Sequence, residues 1–410
     1  MENNKVKSTL FSIGAMLFLV NCGGGSNLQT NSEVRNNNTV KKSVACYKKS
    51  IQTPVLKLSK KEQLGKKLFF DTTLSANENM SCASCHAVNS GFAEPDNELP
   101  VSEGSFAGLF GNRNAPTATY ASFVPYFHYD DNEGLYKGGL FLDGNAMGDI
   151  NRSALVDQAK GPFLNPVEMA MPNGAAVAQK VEESSYAPLM REVYGEDVFD
   201  DLNESYNKIA DAIAAFESTK TFHPFDSKYD LFLNGEVKLS KKEMRGLALF
   251  KGKGKCAECH TADLAEDGSH PLFTDFTYDN LGVPANLENP FYDIDSKFNP
   301  DGVDFKDKGL GAFLKRLGHP RSTYKEEYGK FRVPTLRNIA ITAPYMHNGV
   351  FKDLCEVVEF YNTRDVEDWD APEEERNVDK GELGDLGLTK QDVNDIVAFL
   401  KTLTDHYKVK

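Results

Sequence analysis

Apolar residues recur three and four positions apart in Lys60–Phe69, Lys241–Phe250, Lys208–Thr219 and Lys390–Thr404. That is the periodicity of amphipathic helices. Leu58-Ser59 introduces the first stretch and Leu239-Ser240 the second. Serine is a good N-cap, so both helices are predicted to start there. The two stretches also resemble each other: KKEQLGKKLF in one, KKEMRGLALF in the other. The chain therefore reads as an internal duplication of a small helical unit. Strand-like alternation is scarce. The segments between helices are long and rich in Gly, Pro and Asn, which predicts a mainly α fold with long loops.

Composition narrows the class. The chain has 410 residues, of which 40% are hydrophobic and 26% charged, an ordinary globular balance. The net charge of −14 argues against nucleic acid as a partner. Residues 1–22 read as an export signal: Lys5 and Lys7, an apolar run from Leu10 to Val20, then Leu19-Val20-Asn21-Cys22. The run is short for a bilayer span. The pattern resembles a bacterial lipoprotein signal, with Cys22 as the lipidated residue; a plain secretory peptide and an uncleaved anchor are the alternatives. Residues 23–52 read as a flexible tether. Each reading places the bulk of the chain outside the cytoplasm.

Seven cysteines are too sparse for a disulfide scaffold, but four of them are informative. Cys82-Ala83-Ser84-Cys85-His86 and Cys256-Ala257-Glu258-Cys259-His260 are two CxxCH motifs. Chance supplies such a pentapeptide far less than once in a chain of this length. Two thiols three residues apart reach the two vinyl groups of one haem, and the adjacent histidine lies under the iron. A zinc site or a thioredoxin-type dithiol is the competing reading, but a zinc site gives no reason for histidine after both pairs. Each half of the duplication thus carries one covalent c-type haem. Cys46, in the tether, reads as incidental, and Cys355 as a small buried apolar residue.

Further motifs fall in a fixed order. Arg113-Asn114-Ala115-Pro116-Thr117, Gln158-Ala159-Lys160-Gly161-Pro162 and Val167-Glu168-Met169 follow the first CxxCH. Val333-Pro334-Thr335-Leu336-Arg337-Asn338 and Ala343-Pro344-Tyr345-Met346-His347-Asn348-Gly349 follow the second. From about residue 55 to 405 the chain resembles the bacterial di-haem cytochrome c peroxidase family, which includes the MauG-type proteins. The resemblance implies two cytochrome c-like domains. Residues 53–222 are the expected N-terminal peroxidatic domain and residues 223–410 the C-terminal electron-transfer domain. It implies catalytic roles for Glu168 and Gln158 on the distal side of the first haem, where a base moves a proton between peroxide oxygens. It also implies a calcium ion between the domains, held by the Asn114 side chain and the carbonyls of Thr342 and Pro344. An oxygen-only shell suits that ion.

The family's second haem takes a sixth ligand fourteen residues after the histidine of Ala-Pro-Tyr-x-His. Here that position is Tyr361, the residue MauG-type proteins carry, and no methionine follows Met346. Residues 87–127 contain no histidine, so the displaceable ligand of activation-dependent peroxidases is missing and the first haem is expected to be open. His128 is the nearest substitute and reads as a loop histidine. Leu142 stands where relatives often have an inter-haem tryptophan. The expected activity is reduction of H₂O₂ to water with electrons from a small cytochrome c or cupredoxin. The alternatives are a MauG-like oxidase acting on a partner protein and a non-catalytic electron carrier. The expected location is the periplasm, with a lipid anchor on Cys22. A homodimer is left open.

Overall fold

The computed structural model describes residues 57–95 and 98–409. The proposed signal, the tether and Cys46 lie outside them. The helices are α1 Lys60–Phe69, α2 Cys82–Cys85, α3 Ala154–Leu164, α4 Gly174–Glu183, α5 Ala187–Tyr194 and α6 Leu202–Glu217. They continue as α7 Lys228–Leu233, α8 Lys241–Lys251, α9 Gly309–Arg316, α10 Arg321–Glu326, α11 Leu354–Thr363 and α12 Lys390–Leu400.

The two predicted serine caps are in place, each as a reciprocal capping box. Ser59 Oγ accepts from the Glu62 amide while Glu62 accepts from the Ser59 amide. Ser240 and Glu243 repeat this at α8. The long helix of the first half starts at Leu202, earlier than its periodicity indicated, because Asp201 caps it through the amides of Asn203 and Glu204. The last helix stops at Leu400 and tightens into a 3₁₀ turn over Lys401–Leu403.

The duplication extends to how the helices cross. Gly65 of α1 lies against the Ala212 carbonyl and Phe216 of α6, and Gly246 of α8 lies against the Asp395 carbonyl and Phe399 of α12. A Cβ at either glycine would run into that carbonyl. Each crossing anchors an apolar core. One gathers Leu64, Leu68, Phe69, Ile209, Ile213 and Phe216; the other gathers Leu247, Phe250, Ile396, Phe399 and Leu403.

Strand structure is confined to two ribbons among the described residues. β1 (His128–Asp130) pairs antiparallel with β2 (Leu135–Lys137), and β3 (Tyr278–Asp279) with β4 (Phe331–Arg332), Tyr278 facing Arg332. The fully buried Arg337 ties the two sequence halves together. Its Nη1 and Nη2 donate to Asp230 at 2.7 and 2.9 Å. Its guanidinium lies over the rings of Tyr120 and Phe225 at 4.8 and 4.7 Å.

Cys355 departs from expectation: it is exposed, not buried. It sits in the first turn of α11, while Leu354, Val358 and Phe360 occupy the inward face. Trp369 lies in the loop after α11, yet its ring packs on Phe351 and Phe360 at 5.8 and 5.3 Å. Its Nε1 donates to Thr363 Oγ1 at 3.0 Å.

Candidate active site

Both CxxCH motifs form a single tight turn, α2 at the first and a 3₁₀ turn over Cys256–Glu258 at the second. The histidine that follows is oriented the same way in each. His86 Nδ1 lies 3.2 Å from the Phe92 carbonyl and His260 Nδ1 lies 2.8 Å from the Phe273 carbonyl. A carbonyl can only accept, so Nδ1 carries the proton and Nε2 keeps a free lone pair. Burial holds both imidazoles below their ordinary pKa, which keeps them neutral. The supporting loops match as well. Thr117 Oγ1 donates to the Gly91 carbonyl and Thr335 Oγ1 to the Leu272 carbonyl, each at 2.6 Å.

One cavity of about 340 Å³ reaches both sites; His86, His260, Cys256, Cys259, Gln158 and Tyr361 are on its wall. The four motif thiols are unpaired, and burial pushes all of them up, so they stay protonated. Zinc finds no tetrahedral nitrogen and sulfur set here. Among the described residues the one cluster of three candidate metal donors is Cys259, Asp279 and Glu382. Covalent haem fits instead: at each motif two thiols on one turn and a histidine with its Nδ1 held by a carbonyl, and one largely apolar cavity that reaches both histidines.

On the first side, Gln158 projects from α3 onto the cavity wall. Glu168 sits on the turn after α3, near enough to Cys85 to raise that thiol. It is not itself on the cavity wall. Its Oε1 accepts from Asn165 Nδ2 at 2.8 Å. Burial pushes its carboxyl up to about 7, against the Asn165 hydrogen bond, which lowers it. Asn165 was not singled out by the sequence reading, nor was Glu217. Glu217 is buried on the wall beside Cys82, and burial raises it to about 8. Its signal was legible in principle: Ile209, Ile213 and Glu217 recur every four residues, so an acid falls on the apolar face of α6. His128 is off the wall with its Nδ1 2.9 Å from the Tyr126 carbonyl.

On the second side, Tyr361 projects from α11 into the cavity. Burial pushes its phenol well above the ordinary range, with further contributions from Cys256, Cys259 and Asp279. His347 is engaged elsewhere: its Nε2 lies 2.9 Å from Glu373 Oε2 and its ring stacks on Phe331 at 3.9 Å. Asn114, Thr342 and Pro344 all line the cavity. Asn114 Nδ2 donates to the Pro100 carbonyl at 2.9 Å, and no described residue donates to its Oδ1.

Residues 59–238 match the family described as di-haem cytochrome c peroxidase. The chain is 40% identical over 360 residues to the methylamine utilization protein MauG of Paracoccus denitrificans, covering 83% of this chain and 88% of that one. It is 31% identical over 358 residues to cytochrome c551 peroxidase of Pseudomonas aeruginosa, covering 83% and 78%. The crystal structure of the diheme peroxidase BthA from Burkholderia thailandensis superposes with a TM-score of 0.73 at 33% identity, covering 84% of this chain and 86% of that one. With its duplicated CxxCH sites and neutral, similarly oriented histidines, the chain belongs to the di-haem cytochrome c peroxidase family, oxidoreductases that carry two c-type haems.

Proposed function

We propose that H₂O₂ is reduced to water at the first site, Cys82-Cys85-His86, and that electrons from a small cytochrome c or cupredoxin enter at the second, Cys256-Cys259-His260. The overall balance is H₂O₂ + 2e⁻ + 2H⁺ → 2H₂O. Bound haem supplies a redox-active iron that coordinates peroxide and delivers electrons to it. His86 offers its Nε2 to that iron, fixed by the bond from Nδ1 to Phe92. Glu168 takes the proton from the inner peroxide oxygen and passes it to the outer one, which leaves as water. Asn165 holds the Glu168 carboxylate, and Gln158 orients peroxide by hydrogen bonding.

The observation that carries this assignment is a half-buried carboxylate near Cys85 whose desolvation pushes it up to about 7. A base poised there exchanges protons readily at neutral pH. Glu168→Gln should slow steady-state peroxide consumption by about 10²–10⁴-fold with both haems in place, the usual contribution of a general base. Turnover at the parent rate removes Glu168 from the mechanism.

Tyr361 is proposed as the second iron's sixth ligand, supported by its place in the cavity with Cys256 and Cys259. A phenolate oxygen favours ferric iron and excludes small ligands. Calcium is proposed at Asn114, Thr342 and Pro344, supported by their shared place on the cavity wall. The periplasm and a lipid anchor on Cys22 are proposed from the N-terminal pattern. Among the described residues no helix is long and apolar enough to cross a membrane. Tyr361 also favours a second reading, a MauG-like oxidase acting on a partner protein. Leu142, at the tryptophan position, counts against it. Mass analysis of co-expressed partner proteins after peroxide treatment separates the two.

A further inference from the structure

Three arginines are buried among the described residues, and two of them have an acid. Arg337 is paired with Asp230, and Arg364 with Asp365 at 2.7 Å. The less buried Arg113 has Asp307, also at 2.7 Å. Arg332 has none. It is 7% exposed, its Nε meets no acceptor among the described residues, and its Nη1 and Nη2 reach only the carbonyls of Val333 and Leu140, at 3.4 and 3.2 Å. The nearby acids are engaged elsewhere. Asp143 takes Arg113 and Arg316. Asp279, on the strand paired with Arg332, has Glu382, Lys330, Asp379 and Asp275 as its charged neighbours. Burial accordingly pulls the Arg332 guanidinium down, whereas acids hold Arg113 and Arg337 up.

A buried, unpaired cation is costly, so a completed site should supply an anion. Arg332 lies on the wall of the cavity that contains His86 and His260. Its own amide donates to the Leu142 carbonyl at 2.8 Å, so it stands beside the segment expected between the two haems. Each haem brings two propionate carboxylates, and a guanidinium with a free Nε suits a carboxylate. We propose that Arg332 is the counter-ion of a haem propionate at the junction of the two sites, and that its charge raises that haem's midpoint potential. A fixed positive charge disfavours ferric iron, which carries one more positive charge than ferrous. The inference rests on the family's two haems and not on the roles assigned to Glu168 or Tyr361.

The test uses the holoprotein with Arg332→Gln and Arg332→Lys. Spectroelectrochemical titration reads both midpoints, and resonance Raman reads the propionate bending bands. Arg332→Gln should lower one midpoint by at least the equivalent of a tenfold change in equilibrium constant, about 59 mV for one electron, and move one propionate band. Arg332→Lys keeps the charge without the planar fork and should give less than half that fall. Unchanged midpoints and bands in Arg332→Gln at full haem content overturn the proposal. Equal falls in both variants also overturn it, because shape would then matter and charge would not. If Arg332→Gln fails to retain both haems, the Lys variant decides: a moved propionate band supports the pairing and an unmoved one rejects it. Peroxide turnover is not the readout, so a failed Glu168 assignment leaves this result interpretable.

Discussion

The Asn165 amide donates to Glu168 Oε1 at 2.8 Å, one short turn beyond the helix that carries Gln158. That bond opposes burial, which has already pushed the Glu168 carboxyl up to about 7. Glu168 works as a base only when ionised, so peroxide turnover should fall as pH drops below about 7. Asn165→Ala removes a hydrogen bond to a charged group, worth about 1.5–3 kcal/mol. The acid limb should therefore move to higher pH by about one to two pH units. A pH–rate profile of kcat/KM checks it, and an acid limb that stays in place refutes the positioning role.

Tyr361→Phe should open the second site. Loss of a phenolate ligand should raise that haem's midpoint potential, let added cyanide or azide bind, and slow transfer between the haems. Optical spectra and redox titration report this directly. His347 is a poor substitute because its Nε2 is held by Glu373. Met346 lies on the same cavity wall, so an unchanged spectrum in Tyr361→Phe would transfer the ligand role to it.

Residues 87–127 contain no histidine, and His128 is not on the cavity wall. The fully oxidised protein should accordingly react with H₂O₂ without prior reduction. Stopped-flow spectra of the diferric protein test this. Two six-coordinate low-spin haems that react only after one-electron reduction contradict it.

Arg337→Met should destabilise the fold by about 3–5 kcal/mol, because it strands the buried Asp230 carboxylate. Denaturant midpoints of the holoprotein measure the loss. Burial alone would raise Asp230, but its hydrogen bonds from Arg337, Ser227 and His270 outweigh that and hold it low. A carboxylate with a depressed folded-state pKa contributes stability above its unfolded pKa. That contribution is lost as pH falls through the folded value. The parent should therefore lose stability in strong acid, and the variant should lose less of it over the same range.

Local rules carried much of this protein. The serine caps, the helical stretches, the duplication and both CxxCH turns depend on residues within a few positions of one another, so they are legible in the chain. Tyr361 and Gln158 could be named from motifs that keep their order. What depended on distant segments was not legible. Asn165 looks like an ordinary polar residue until the turn after α3 brings it to Glu168, Glu217 until folding buries it, and Cys355 looks apolar until α11 turns it outward. Arg332 and Arg337 lie five residues apart in one motif-rich segment, and nothing local distinguishes them. Only the tertiary structure brings Asp230 to one and leaves the other facing the cavity without an acid. Charge pairing and desolvation are set by which segments meet in space, and sequence spacing does not encode that.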